Sequence, residues 1–346
     1  MQNKSEGMYH DVLNHLTRER LAELESRPRT GLIIFLDYTI CLMPVVFGLL
    51  ALAEYLYVPN LKGNTSTSTY AYFLGALTIF GGGFFVASLF WRRAFYVLRY
   101  KAPFYAFVFV LLTVYDYLTL KTGRLVLPYF PWTDQILNAM WDDRVYLLDC
   151  AKNSLTLLFS GYFAGALLGL LTGTACGVSR TVDYWLSPFI RLLGAIPSPT
   201  WIPIVMVIAS TLFSGAVFII GLGVWYALTI STMTGIRNID KSYYDAAKTL
   251  GAGPLQLVFR VAIPFAVPNI LQGLTQGMSS ACLVLITAEM VGVESGLGWY
   301  VSWQKSWAQY GKMYAAIVVL CVVFVVVNRG LEMIRRRLLR WQEGLI

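Results

Sequence analysis

Eight stretches of about 20 predominantly apolar residues divide this chain, at roughly 31–57, 70–91, 102–120, 152–177, 195–213, 215–236, 268–292 and 313–334. Hydrocarbon offers no water to bond with, so each backbone N–H and C=O in such a stretch must be satisfied within the segment, and a helix does this. The sequence therefore predicts an all-α, polytopic membrane protein of eight spans. Composition agrees, since only 13% of residues are charged where about 25% is usual in soluble domains. The fifth stretch, IPSPTWIPIVMVIASTLF, is the least regular. Pro197, Pro199 and Pro203 lie in its first half, and each lacks a donor, so a break or kink is expected there.

Placement of the cations sets the expected orientation. With a cytoplasmic N-terminus, twenty of the 27 Lys and Arg fall on inner segments, so both termini are expected in the cytoplasm. The RRRLLR run from Arg335 adjoins a span and reads as a headgroup anchor rather than a nucleic-acid site. Residues 1–30 read as a cytoplasmic segment, either an amphipathic helix on the inner surface or a solvated tail. They lack the features of a cleaved signal, so the first apolar run is expected to stay as an anchor. The five cysteines are scattered and form no disulfide framework. Both histidines precede the first span, so no His-based metal site is expected within the membrane.

Three patterns carry physical content. Gly161, Gly165, Gly169, Gly173 and Gly177 recur every four residues along the fourth span. Helices in lipid associate by close packing, and small residues four apart let two backbones approach. The seventh span places Gln272, Thr275, Gln276, Ser279 and Ser280 on one helical face. Such a stripe is either interhelical glue or the lining of a hydrophilic path. No Lys, Arg, Asp or Glu occurs at 153–179, 192–236 or 261–288, so a crossing solute would meet hydroxyls and amides rather than fixed charge. Glu289, near the outer end of the seventh span, is the exception: it is either a candidate for the same path or a carboxylate that is simply solvated or hydrogen-bonded to a neighbour. Asp116 occupies a comparable place on the third.

The third pattern is SYYDAAKTLGAGPLQLVFRVAIPFAVP, from Ser242. Ser242 with Asp245 reads as an N-cap pair, Gly251 as a left-handed C-cap, and Pro254 as the first turn of a second helix that stops at Pro264. Ala246 and Ala247 leave the first helix a smooth side. Leu255, Val258, Phe259 and Ala262 give the second an apolar face to lay on the spans. The result is a helix–glycine–helix elbow on the cytoplasmic side, spanning 242–264.

DAAKTLG, followed after nine residues by VAIP, resembles the signature loop of binding-protein-dependent ABC importer permeases. Asp245 stands for the family's Glu, Val261 for its Ile and Ile263 for its Leu, while Ala246, Ala247, Gly251 and Pro264 match. LPYFPWTDQIL from Leu127, LLGAIPSPTWIPIVMV from Leu192 and LITAEMVGVESGLGWYV from Leu285 look like the nitrate, sulfonate, taurine and bicarbonate branch. The resemblance implies a six-helix type I importer core over 102–340, preceded by two extra spans in 31–101 whose role it leaves open. It implies ATPase contact through Tyr244, Asp245, Ala246, Ala247, Thr249, Leu250, Gly251 and Pro254.

The chain lacks GxxxxGK[ST], so it binds no cofactor of its own on this reading. ATP and Mg would be held by a cytoplasmic ABC ATPase dimer. The other partners implied are a periplasmic or lipid-anchored solute-binding protein, a second permease chain forming a homodimer, and membrane lipids. No nucleic acid is involved. The binding protein is expected near Trp299, Trp303, Trp307 and Tyr310, which otherwise mark an interface belt. Asp37 is expected to pair with Arg92 or Arg93, or to snorkel. A carrier or channel driven by an ion gradient is the alternative, but it calls for a charge in mid-membrane and leaves the elbow unexplained. No nucleophile–base or metal constellation supports an intramembrane enzyme.

Overall fold

A computed structural model describes residues 31–339, all of whose regular structure is helical. The segment 1–30 and Arg340 lie outside the described residues. The chain divides into two compact units, Met1–Arg124 and Leu125–Ile346. Among the described residues, seven helices are long and apolar enough to cross a membrane, or eight if one bent pair counts as a span.

The first unit holds α1 (Gly31–Tyr57), α2 (Thr69–Phe90) and α3 (Arg92–Asp116), the last extended by a π-helical turn at Tyr117–Lys121. The third span, grouped by sequence with the later five, thus belongs structurally with the two before it. Two polar sites staple α3 to α1. Arg99 Nε lies 2.7 Å from a carboxylate oxygen of Asp37; the side chains of Arg92 and Arg93 lie outside the described residues. At the other end, Lys121 Nζ donates to the carbonyls of Tyr55 and Val58 at 2.8 and 2.7 Å and to Asn60 Oδ1 at 2.9 Å. Two of these acceptors belong to the last turn of α1 and the residue after it, where carbonyls lack intrahelical donors, so one buried ammonium caps a helix it does not belong to.

The second unit runs α4 (Thr133–Asp142), α5 (Arg144–Val178), α6 (Arg180–Ala195), a 3-10 turn (Ser198–Trp201), α7 (Ile202–Ile208), α8 (Leu212–Arg237), α9 (Lys241–Thr249), α10 (Pro254–Val291), α11 (Leu297–Ser306) and α12 (Tyr310–Leu338). Its core is a sandwich of α5, α8 and α10 around Leu157, Leu158, Ile219, Ile220, Val224 and Leu285. The expected break in the fifth stretch is present. Arg180–Ala195 and Ser198–Ile208 meet at 90°, because the prolines at 197, 199 and 203 leave no run of donors for a continuous helix.

Pro264, by contrast, stops nothing, contrary to expectation. A π-helical segment, Leu257–Ala262, feeds directly into the long helix, with Pro264 in its first turn. Pro264 thus lies inside α10, two residues past the end of the π-helical segment.

Candidate functional site

The glycine ridge sits against α8. A Cβ on Gly161 would fall 2.6 Å from Ile220 Cβ, one on Gly169 2.9 Å from the Trp225 carbonyl, and one on Gly173 2.8 Å from that of Thr229. At Gly165 it would land on the carbonyl of Gly221. At Gly177 it would fall 2.9 Å from Ile236 Cβ. Close approach also allows polar bridging: Trp225 Nε1 donates to Thr172 Oγ1 at 3.0 Å, and the hydroxyls of Thr172 and Thr229 lie 2.8 Å apart.

Across its other face α8 packs on α10 and on the 3-10 turn. Gly223 is in contact with two hydroxyls: a Cβ there would sit 2.8 Å from Ser280 Oγ of α10 and 3.1 Å from Ser198 Oγ of the 3-10 turn. Beside it opens a cavity of about 220 Å³ walled by the break Ile196–Pro199, by Gly223 and Tyr226 of α8, and by Gln276 and Ser280 of α10. Discontinuous helices at membrane depth expose backbone groups that a solute can use, which is tolerated where they line a cavity. The hydrogen-bonding side chains here are Ser198, Tyr226, Gln276 and Ser280; no ionisable cation lines the space. Ser198 and Tyr226 were missed from sequence. The signal for Ser198 was the proline cluster around it, whereas nothing local marks Tyr226.

The stripe on α10 is divided by the fold. Gln276 and Ser280 reach the cavity, while Gln272, Gln276 and Ser279 are exposed on the unit's own surface. Thr275 donates back to its own helix, at the Leu271 carbonyl (2.9 Å). Glu289 is a correction: it does not join this face. Its carboxylate is 1% exposed, with Oε1 accepting from the Ser154 hydroxyl at 2.6 Å and Oε2 from the Gly298 N–H at 2.7 Å. Ser154 in turn accepts from the Leu297 N–H at 2.8 Å. The loop that wraps it needs Gly296 at φ 123°, a left-handed conformation open to glycine, and any Cβ there would strike the carboxylate. Both oxygens are thus committed to tying α5 to the start of α11.

A second tie lies at the same end. Tyr300 donates to Asp143 Oδ2 at 2.5 Å and Lys312 approaches the same oxygen at 2.9 Å. Burial pushes the Asp143 carboxyl up, but these hydrogen bonds and the lysine charge outweigh it and hold the group below the usual carboxylate range. Trp299 and Trp303 stack at 5.4 Å, with Trp307 6.0 Å further along, while Tyr310 turns to Tyr129 at 5.2 Å.

At the opposite end is the elbow. The N-cap of α9 is Asp240, not Ser242: its side chain accepts the Ser242 N–H at 2.9 Å. The backbone and hydroxyl hydrogen bonds from Ser242 hold the Asp240 carboxyl below its ordinary range. The helix therefore starts two residues earlier than the Ser242–Asp245 pair suggested, and Asp245 is left exposed, 3.7 Å from Lys248. Gly251 has φ 81°, and the Ala252 N–H closes the cap on the Ala247 carbonyl at 3.0 Å. Gln256 accepts the Gly253 N–H at 3.1 Å, starting the second arm at Pro254.

Only part of the elbow meets its own bundle. Tyr244 packs on a cluster that includes Ile236, Ile239, Ala262 and Ala266, and Tyr243 lies 5.5 Å from Phe265. Tyr244 is therefore an anchor facing inward. The second arm does not lay its whole apolar face on the spans: Ala262 is buried, but Leu255 and Phe259 are 74% and 65% exposed, and Leu250 at the tip is 89% exposed. Ala246, Thr249, Gly251 and Pro254 are exposed as well.

Residues 165–340 match the model of a family described as binding-protein-dependent transport system inner membrane component. Over 184 residues the chain is 29% identical to the aliphatic sulfonates transport permease protein SsuC of Bacillus subtilis, covering 53% of this chain and 67% of that protein. It is also 29% identical over 188 residues to the taurine transport system permease protein TauC of Escherichia coli, covering 54% and 68%. The nitrate import permease protein NrtB of Synechococcus elongatus is 28% identical over 148 residues, covering 43% and 53%. Among solved structures, an inward-facing MetNI methionine ABC transporter chain aligns with a TM-score of 0.48 at 21% identity, over 57% of this chain and 97% of its own.

Proposed function

This chain belongs to the family of binding-protein-dependent transport system inner membrane components and is an ABC importer permease; from that premise we propose how it is driven and what it carries. A cytoplasmic ABC ATPase seats on the elbow, and closure of an ATPase pair around ATP and Mg moves two elbows together and tilts the bundle from inward-open to outward-open. The observation that carries this reading is the uncovered apolar tip. Leu250, Leu255 and Phe259 of the elbow stand exposed, as does Asp245, and large apolar side chains left uncovered on a segment between spans suit a docking face.

One elbow per chain calls for two chains, and a homodimer is the simplest assembly. The exposed amides of Gln272 and Gln276 support it, since they are poorly placed facing lipid and well placed across a two-fold axis around a path. The names of the sulfonate, taurine and nitrate permeases among its relatives support a small oxyanion or sulfonate as cargo. So does an uncharged cavity lined by Ser198, Tyr226, Gln276 and Ser280, which offers weak contact during passage. A solute-binding protein delivers the cargo at the tryptophan-bearing end of the second unit. Both termini lie in the cytoplasm, and the membrane is the bacterial inner membrane.

Gly251→Val tests the elbow. A β-branched residue held at positive φ costs ~1 kcal/mol or more locally, so ATPase co-purification and ATP-driven uptake are expected to fall together while the membrane unit keeps its melting temperature. Unchanged co-purification and uptake would overturn the coupling role. Gln276→Leu tests the path. Its side chain is exposed, so stability is expected within ~0.5 kcal/mol of wild type, with uptake in proteoliposomes reduced by about tenfold, the equivalent of ~1.4 kcal/mol. Normal uptake would make the stripe packing surface only.

A further inference from the structure

The first unit contains a cleft that the transport reading does not use. It has a volume of about 380 Å³ and lies among α1, α2 and α3, with Pro44 at its floor, Gly81 and Phe84 on one wall, and Lys101, Tyr105 and Val108 on the other. The contrast with the second unit is instructive. There the ridge glycines have a neighbouring backbone or side chain within van der Waals reach, whereas a Cβ on Gly81 would meet nothing within 4 Å. Glycine inside a helix is less favourable than alanine, and close approach by the chain's own helices is not what recovers the loss here.

The walls are apolar except at one end. Lys101 makes no hydrogen bond or ion pair among the described residues, unlike Arg99, which is bound to Asp37. Tyr105 follows one turn later on the same face. From Lys101 to Leu112, both lining residues, α3 rises about 16 Å, enough to accompany a lipid chain through one leaflet of ~15 Å. An apolar slot with a cation at its mouth, near a helix end rich in Arg, is complementary to an amphiphilic anion. We infer that this cleft holds one acyl chain of an anionic phospholipid, with Lys101 and Tyr105 at its phosphate. The site does not depend on the transport mechanism; only its assignment to the cytoplasmic leaflet rests on the proposed orientation.

The test uses the full-length protein, stripped of lipid in detergent and incubated with dioleoylphosphatidylglycerol or dioleoylphosphatidylcholine, with retained lipid read by native mass spectrometry. The expected result is one retained phosphatidylglycerol per chain and a preference over phosphatidylcholine. Lys101→Gln is expected to lower that preference about fivefold, the equivalent of the ~1 kcal/mol of one lysine at an anionic surface. Gly81→Leu, which fills the hollow, is expected to abolish retention of either lipid while the melting temperature holds. Equal retention of the two lipids by the wild type overturns the proposal, as does an unchanged preference in Lys101→Gln. A Gly81→Leu protein that keeps its lipid but changes oligomeric state assigns the cleft to another protein copy and overturns it too. Neither substitution touches the elbow or the α10 stripe, so ATP-driven uptake reports separately on the transport reading.

Discussion

Gly165→Leu is expected to destroy the second unit, with a destabilisation of at least ~4 kcal/mol and loss of monodisperse protein from detergent extracts. The new Cβ would meet the backbone of Gly221, whose Cα would lie 2.8 Å away, and not the end of a side chain that could swing aside. Relief requires α5 and α8 to part, and parting them also undoes the contacts of Gly161, Gly169 and Gly173 and the bridge from Trp225 to Thr172. Two controls separate this from a general intolerance of bulk. Gly177→Ala adds a single methyl against the Ile236 side chain rather than a backbone and is expected to cost less. Gly81→Leu enters open space in the other unit and is expected to leave the melting temperature unchanged. A Gly165→Leu protein that purifies and melts like wild type would show that α5 and α8 are not held together as described.

The second large effect is expected at Glu289. Glu289→Ala removes both acceptors and leaves the Gly298 N–H buried without a partner. The expected loss is about 3 kcal/mol, or a fall of about 6–12 °C in melting temperature for a unit of this size. Glu289→Gln makes the assignment specific. Its amide oxygen can accept from Gly298 while its NH2 donates to Ser154 Oγ, so most of the stability is expected to return. If Gln behaves as badly as Ala in thermal unfolding, charge rather than hydrogen bonding holds the carboxylate in place. If neither changes stability but both abolish uptake, the residue belongs to the path after all, and the tie to α11 is incidental.

Much of the architecture was legible because the bilayer narrows the choices. Apolar length alone announces a spanning helix, since no other local structure satisfies its own backbone in hydrocarbon. The fourth and sixth to eighth stretches appear as continuous helices, and the fifth is broken where its prolines stand. Gly251 and Pro254 were readable for a similar reason: positive φ and a fixed ring are local demands that few residues meet. Errors arose where a local signal had two outlets. Ser242 is a good N-cap, but Asp240 two residues earlier is another, and the chain used it. Pro264 ends a helix when the register stays α-helical, and a π-helical segment let it lie inside one instead.

Sequence alone settled that this protein crosses a membrane many times, that the fourth span carries a face without side chains, and that a capped, amphipathic elbow interrupts the last apolar runs. These follow from periodicity and backbone chemistry, which act over one or two helical turns. Only the tertiary structure decided which helix receives the glycine face, that Ser198 and Tyr226 share a cavity with Gln276, that Glu289 binds Ser154 and the Gly298 amide, and that the third span joins the first two. Most of those pairings join residues well beyond the reach of one or two helical turns. Their partners are selected by fit and by hydrogen-bond satisfaction in three dimensions, and no local pattern encodes that choice.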